Sequence, residues 1–163
     1  MESIDPGVQA LAIHHDRTEI LTGQRTQFID LTEWVARCVR RSGVEHGMAV
    51  VRVLHTTAAI VVNENEPLLL DDLTAMLERL APGDVAYAHD DPLRRRVKLE
   101  PGERRNGHSH ARALLLGDSK SIGVVEGDLQ RGRWQSIFLV ELDGPRRRSI
   151  VVTVMGYRTE PTR

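Results

Sequence analysis

Apolar and polar positions along this chain switch between a period of two and the spacing of a helix face. Val8 to His14 alternates loosely and predicts a strand. Thr18 to Leu21 and Thr26 to Ile29 predict two more, with Gly23 as the turn between them. Leu31, Trp34, Val35, Cys38 and Val39 then recur at helical spacing. Asp30 is the expected N-cap, Glu33 completes a capping box, and Gly43 is the expected stop. Cys38 lies on the apolar face of that helix and reads as core packing. Met48 to Leu54 and Ala58 to Val62 are continuous and β-branched, the mark of buried strands. Pro67 opens a second helix, Leu69, Leu73, Met76, Leu77 and Leu80 form its apolar stripe, and Ala81-Pro82-Gly83 ends it. From Asp84 to Gly107 the chain is polar and proline-marked, a long loop of the kind that carries function or motion. A short apolar run, Ala111 to Leu116, follows. Strands are expected at Ser121 to Val125, Trp134 to Leu142 and Arg148 to Met155, the last two joined by the turn Asp143-Gly144-Pro145.

Strands, helix, strands, helix, strands is not the regular alternation of a doubly wound sheet or a TIM barrel. The pattern predicts an α+β domain with mainly antiparallel sheet, and 163 residues suffice for one domain with a sizeable core.

Composition narrows the function classes. A formal net charge of −1 gives no indication of a nucleic-acid partner. No apolar run approaches the roughly 20 residues that span a membrane. The acidic opening Met1 to Pro6 does not read as a secretory signal. One cysteine excludes an internal disulfide framework and a multi-cysteine zinc site. A cytoplasmic protein without a membrane or nucleic-acid partner is the expectation. The 22 basic residues are arginine except for Lys98 and Lys120. Arginine's planar fork suits carboxylates and phosphates, although the runs Arg94 to Arg96 and Arg146 to Arg148 read as solvated.

Polar residues that a core does not need concentrate in a few segments: His55-Thr56-Thr57, Asn63 to Glu66 with Asp71-Asp72, Tyr87 to Asp91, and Glu103 to Arg112, with Gly132 to Gln135 as a further one. His108 and His110 point to one side if their backbone is extended and diverge if it opens a helix. His55, His89, His108 and His110 are the candidate metal ligands, because neutral imidazoles with an open position make a zinc-type site. Glu64 or Asp72 supply the hard oxygens that magnesium prefers. Against this stands the plainer reading of solvated or hydrogen-bonded histidines. Thr56, Thr57, the N–H groups beside Gly107 and the arginines make an alternative anion site; Thr56-Thr57 also reads as a hairpin turn. Asp71 reads as a helix-dipole residue. Ser109 lacks the Gly-x-Ser-x-Gly elbow of a nucleophile. His110 leads straight into the apolar run and ranks above His108.

Taken in order, His55 to Ala59, Asn63-Glu64, Asp72-Leu73, Asn106 to His110, Leu116-Gly117, Gly132 to Ile137 and Glu141 to Arg146 resemble the YjbQ family, also described as a secondary thiamine-phosphate synthase. The resemblance runs from about Thr26 to Gly156. It implies a two-layer, mainly antiparallel β-sandwich with two principal helices, a single domain over residues 1–163 with its core at about 8–157. It also implies a homotrimer with sites near subunit interfaces. The implied reaction joins a hydroxymethylpyrimidine diphosphate to a thiazole phosphate and releases pyrophosphate. On this resemblance His110, His108, Asp72 and Glu64 are the catalytic candidates. His55, Thr56, Thr57, Asn106, Arg112 and Gln135 are the candidates for holding phosphate or substrate. A divalent metal, magnesium or zinc, is the expected cofactor and a small phosphorylated molecule the expected partner. A metal-dependent hydrolase of a phosphorylated compound and a trimeric binding protein without turnover are the alternatives. The tract Arg94 to Gly102 departs from the pattern and leaves the shape of the His89 loop open.

Overall fold

The computed structural model describes residues 9–97 and 102–159. Val8 and residues 98–101 of the arginine-rich tract fall outside the described residues.

Two antiparallel sheets face one another. The larger contains β1 (Gln9–Leu21), β8 (Arg147–Thr159), β3 (His46–Val53), β5 (Ser119–Val125) and β6 (Asp128–Gln130), in that order. The smaller contains β2 (Gln27–Asp30), β7 (Gln135–Glu141) and β4 (Ala58–Glu64). Three helices complete the fold: α1 (Thr32–Ser42), α2 (Pro67–Leu80) and α3 (Gly107–Leu116). The mainly antiparallel α+β domain read from the pattern and the sandwich implied by the resemblance are both observed.

Burial explains the patterning. β7 is buried continuously from Ile137 to Glu141, because both its faces are covered. Ile137 and Leu139 enter the core between the sheets, with Val51, Val152 and the α1 residues Val35, Cys38 and Val39. Phe138 and Val140 enter a second core, with Leu77 of α2 and Ala113 of α3. Each fully buried side chain of this size contributes roughly 1.5–3 kcal/mol. The outer face of the large sheet is open, so β1 alternates between half-buried and exposed along its length.

Several expectations need correction. The two strands expected around His14 and Leu21 are one 13-residue strand paired with β8 throughout. Asp30 sits one residue before the N-cap Leu31, and its carboxylate accepts from the Thr32 N–H at 2.7 Å. Gly43 does close α1 in the left-handed region, at φ 68°. Thr56-Thr57 is no hairpin turn; it carries the chain from β3 in one sheet to β4 in the other. The Gly107 segment opens a third helix that two principal helices did not anticipate. Cys38 is core, as its spacing implied. Burial pushes its thiol up to about 12, and the Sγ–H donates to Asp16 at 3.3 Å.

Three connections cross between the sheets at the same end: β1 to β2, β3 to β4, and β7 to β8. Thr22 in the first bonds Arg146 in the third, its N–H donating to the Arg146 carbonyl at 2.9 Å and its Oγ accepting from the Arg146 N–H at 2.8 Å. The long loop and the start of α3 lie over this end.

Candidate functional site

The crossover end is held by a buried ion pair. Glu141 and Arg148 are 0% and 2% exposed. Glu141 accepts from Arg148 Nε at 2.7 Å, from a second Arg148 nitrogen, from Thr22 Oγ at 2.8 Å, and from the N–H groups of Leu142 and Asp143 at 2.8 Å each. Burial by itself would raise this carboxyl. The hydrogen bonds from Arg148, the Asp143 amide and Thr22 outweigh it and hold Glu141 below the usual carboxylate range. Arg148 also donates to the carbonyl and hydroxyl of Thr57, at 3.1 and 3.0 Å. The pair therefore fixes the β3–β4 crossover against the β7–β8 crossover.

Above the pair lies a cleft of about 890 Å³, within the size range of small-molecule sites. Its crossover side is formed by His55, Thr56, Thr57 and Arg146 to Arg148; its loop side by His89, Arg95, Arg104, Asn106 and His110. Asp143 and Glu103 are the acidic residues lining it among those described. Arg95 pairs with Glu103 at 2.7 Å, and Arg146 with Asp143 at 2.8 Å. Arginine outnumbers carboxylate, so the cleft favours anions.

His55 Nε2 accepts from the Ser149 N–H at 2.9 Å. That bond requires a lone pair on Nε2, so the ring proton of neutral His55 sits on Nδ1. Burial and the Arg148 charge hold the imidazole below its ordinary value, hence neutral near pH 7. His55 is a donor toward the cleft. It cannot ligate a metal through Nε2, which is already occupied.

The histidine pair diverges, because its segment is helical. His110 lines the cleft, while His108 is 1% exposed and faces the core. Arg25 donates to His108 Nε2 at 3.2 Å, and Tyr87 packs beside the ring. Burial and the charges of Arg112 and Arg25 keep His108 neutral. Burial and neighbouring His89 lower His110 in the same sense. Ser109 is fully buried and donates to the Leu142 carbonyl, so it is not poised as a nucleophile.

The start of α3 is not an open anion site. Asp90 accepts from the N–H groups of both Asn106 and Gly107, at 2.9 Å each. Gly107 is required here, since a Cβ would meet Tyr87 Cβ at 2.5 Å. Arg112 does not reach the cleft either. It is buried, donates to the Ala81 carbonyl at 2.8 and 3.0 Å, and pairs with Glu78, closing the end of α2.

Glu64, Asp72 and Gln135 also lie elsewhere. Glu64 ends β4, opposite Gln135, and the strand carries it about 20 Å from Thr57. Asp72 is exposed on α2, six residues or about 9 Å before the Glu78 contact with α3. Neither carboxylate offers magnesium a place in the cleft. Of the four candidate histidine ligands, His89 and His110 alone remain able to coordinate there. No cluster of three His, Cys, Asp or Glu side chains poised for a metal occurs among the described residues.

Of Arg146 to Arg148, all expected to be solvated, Arg147 is exposed, Arg146 is half-buried and Arg148 is buried. The signal that identifies them is their position directly after a cross-sheet turn, with Glu141 and Asp143 on its other side. Asp90 falls in the polar segment Tyr87 to Asp91, but its capping role has no local signal, because the amides it caps are 16 and 17 residues away.

Residues 16–157 match the family model described as UPF0047 protein YjbQ-like. The chain belongs to the YjbQ/UPF0047 family. A UPF0047 protein of Methanothermobacter thermautotrophicus is 38% identical over 90% of this chain and 94% of its own length. The UPF0047 protein YugU of Bacillus subtilis is 33% identical over 85% and 96%. Among solved structures, a YbjQ-like protein of unknown function from Sulfolobus solfataricus superposes with a TM-score of 0.81 at 34% identity, covering 90% of this chain and 99% of that one. The YjbQ-like region thus includes the three crossovers and the α3 segment. No helix among the described residues is long and apolar enough to cross a membrane.

Proposed function

We propose that the YjbQ-like cleft binds a small phosphorylated molecule, and that its chemistry is that of a secondary thiamine-phosphate synthase. The observation that carries the binding half is the His55–Ser149 hydrogen bond, which presents an Nδ1–H donor beside Thr56 and the arginines. In the reaction, the carbon–oxygen bond of the pyrimidine methyl diphosphate breaks and its electron pair leaves with pyrophosphate. The thiazole nitrogen lone pair forms the new carbon–nitrogen bond, leaving a thiazolium cation. His55, Thr56, Arg146 and Arg147 stabilise the charge that builds on the departing pyrophosphate. The tight internal pairing of Arg148 keeps its guanidinium fixed beneath them.

Calorimetric titration with inorganic pyrophosphate tests the binding. His55→Asn keeps an amide donor near the Nδ1 position and retains affinity. His55→Gln places its donor elsewhere and weakens binding about tenfold or more, the worth of one charge-assisted hydrogen bond. Wild-type protein that ignores pyrophosphate at about 1 mM overturns the reading. Thiamine phosphate formation from the two phosphorylated precursors tests the synthase half.

Binding without turnover is the second reading. It is favoured by the placement of Glu64 and Asp72, both expected to be catalytic, outside the cleft. Pyrophosphate binding with no thiamine phosphate formed selects it.

Association into a homotrimer is part of the proposal. Its support is the open face of the large sheet, where Ile13, Met155 and Met48 are adjacent in register and Leu11 and Tyr157 are 68% and 52% exposed. Sedimentation velocity at several protein concentrations reads the mass, and Ile13→Lys is expected to shift it toward the monomer.

A further inference from the structure

Beside the arginines Arg95 and Arg104, the loop side of the cleft carries buried polar atoms that make no hydrogen bond. Asn106 is 5% exposed and lines the cleft. Its Nδ2 donates to Asp143 Oδ2 at 3.0 Å. A carboxylate only accepts, so this bond settles which end of the amide is nitrogen. Oδ1 is then the free end, and it is buried without a hydrogen bond among the described residues. His89 Nε2 is buried in the same condition. His110 lies against His89, with ring centroids 4.6 Å apart and planes at 64°.

Leaving a buried polar atom unpaired costs about 1–3 kcal/mol. Asn106 Oδ1 can only accept, and His89 Nε2 offers a lone pair when the ring proton sits on Nδ1, so together they suit a ligand that accepts electron pairs. The ring spacing specifies it further. With metal–nitrogen bonds of about 2.1 Å, two cis imidazoles on one ion hold their centroids about 4.5–5.5 Å apart. Edge-to-face packing tolerates the observed spacing, but it gives no reason to bury His89 Nε2 unpaired. Asp143 stands behind Asn106 as the outer-shell carboxylate that orients a ligand.

We propose that His89, His110 and Oδ1 of Asn106 form a site for one divalent first-row transition-metal ion on the loop side of the cleft. Two imidazoles with one neutral oxygen suit zinc, cobalt, nickel or copper better than magnesium or calcium. Three protein donors leave a coordination position open toward the cleft. His55 and His108 take no part, since each already has its Nε2 lone pair engaged. The site stands independently of phosphate binding by the crossover side.

The test strips the full chain with chelator and titrates it with cobalt(II) and zinc, by calorimetry and visible absorption. One ion per chain is expected, with a Kd of about 10 μM or tighter, and cobalt gives ligand-field bands. His89→Gln and His110→Gln each weaken binding about 100-fold, and Asn106→Ala about tenfold. Asn106→Asp retains it, and His55→Asn leaves it unchanged. Thermal melts confirm that each variant is folded, and His89→Asn replaces any glutamine variant that is not. Wild-type protein that takes up no ion at about 1 mM overturns the proposal. So does equal loss of affinity in His14→Gln, whose Nε2 is also buried without a hydrogen bond, 4.0 Å from Asp16, and does not line the cleft.

Discussion

At one end of β4, Thr57 is buried and accepts from Arg148, which is itself locked to Glu141; at the other, Glu64 is exposed and its backbone N–H donates to the neighbouring Asn63 side chain. Both ends carry residues of the same family pattern. The difference lies in what holds them. Crossovers from two sheets converge on the first end, so its polar groups are fixed by partners distant in sequence. The second end is a strand terminus in which side chains reach solvent. Motif membership therefore says little about which residues share a site, whereas convergence of connections says a great deal.

The largest expected effect breaks the first end. Arg148→Met leaves Glu141 buried and uncompensated, and is expected to cost about 3–5 kcal/mol in urea unfolding. A loss below about 1 kcal/mol would show that the pair does not anchor the crossovers.

A smaller effect comes from pH. His55, His108 and His110 are all held below the ordinary imidazole value of 6.5 in the folded protein. Between their folded values and 6.5, the unfolded chain binds more protons than the folded one, so stability rises with pH through that window. It is complete above 6.5 and declines on acidification. Glu141, held below 4.5, adds a second loss as pH falls through its folded value. Chemical denaturation between pH 7 and 5 reads the first window, and His108→Gln is expected to flatten its slope. A profile unchanged by that variant would remove His108 from the account.

The smallest effect is at the far end. Glu64→Gln is expected to alter stability by no more than about 0.5 kcal/mol, the usual range for an exposed substitution. If it also leaves pyrophosphate affinity unchanged, the two ends are functionally separate within one chain. If it weakens that affinity, the two ends of β4 act together in binding.

Much of the fold was legible because its signals are local. Pro67 at the start of α2, Gly43 at the end of α1, and the continuous β-branched runs of β3 and β4 each report the conformation of their own segment. The third helix was not legible, for a physical reason. Its opening residues include the buried polar His108 and Ser109, whose partners are Arg25 and Leu142, and its first amides are capped from Asp90. The same holds for the site. His55, His89 and His110 announce themselves by residue type. The burial of Arg148, the withdrawal of Arg112 to α2, and the assignment of the His55 proton depend on atoms that only folding brings together.

The Asp90 carboxylate has a dynamic consequence. It joins the short 3-10 turn that carries His89 to the turn of helix that carries Asn106 and His110. Two hydrogen bonds thus set the separation of the cleft's acceptors. Any excursion of the 88–90 turn must release the amides of Asn106 and Gly107 together. Their exchange with deuterated solvent becomes a clock for that opening, running at one shared rate while the β7 amides beneath stay protected.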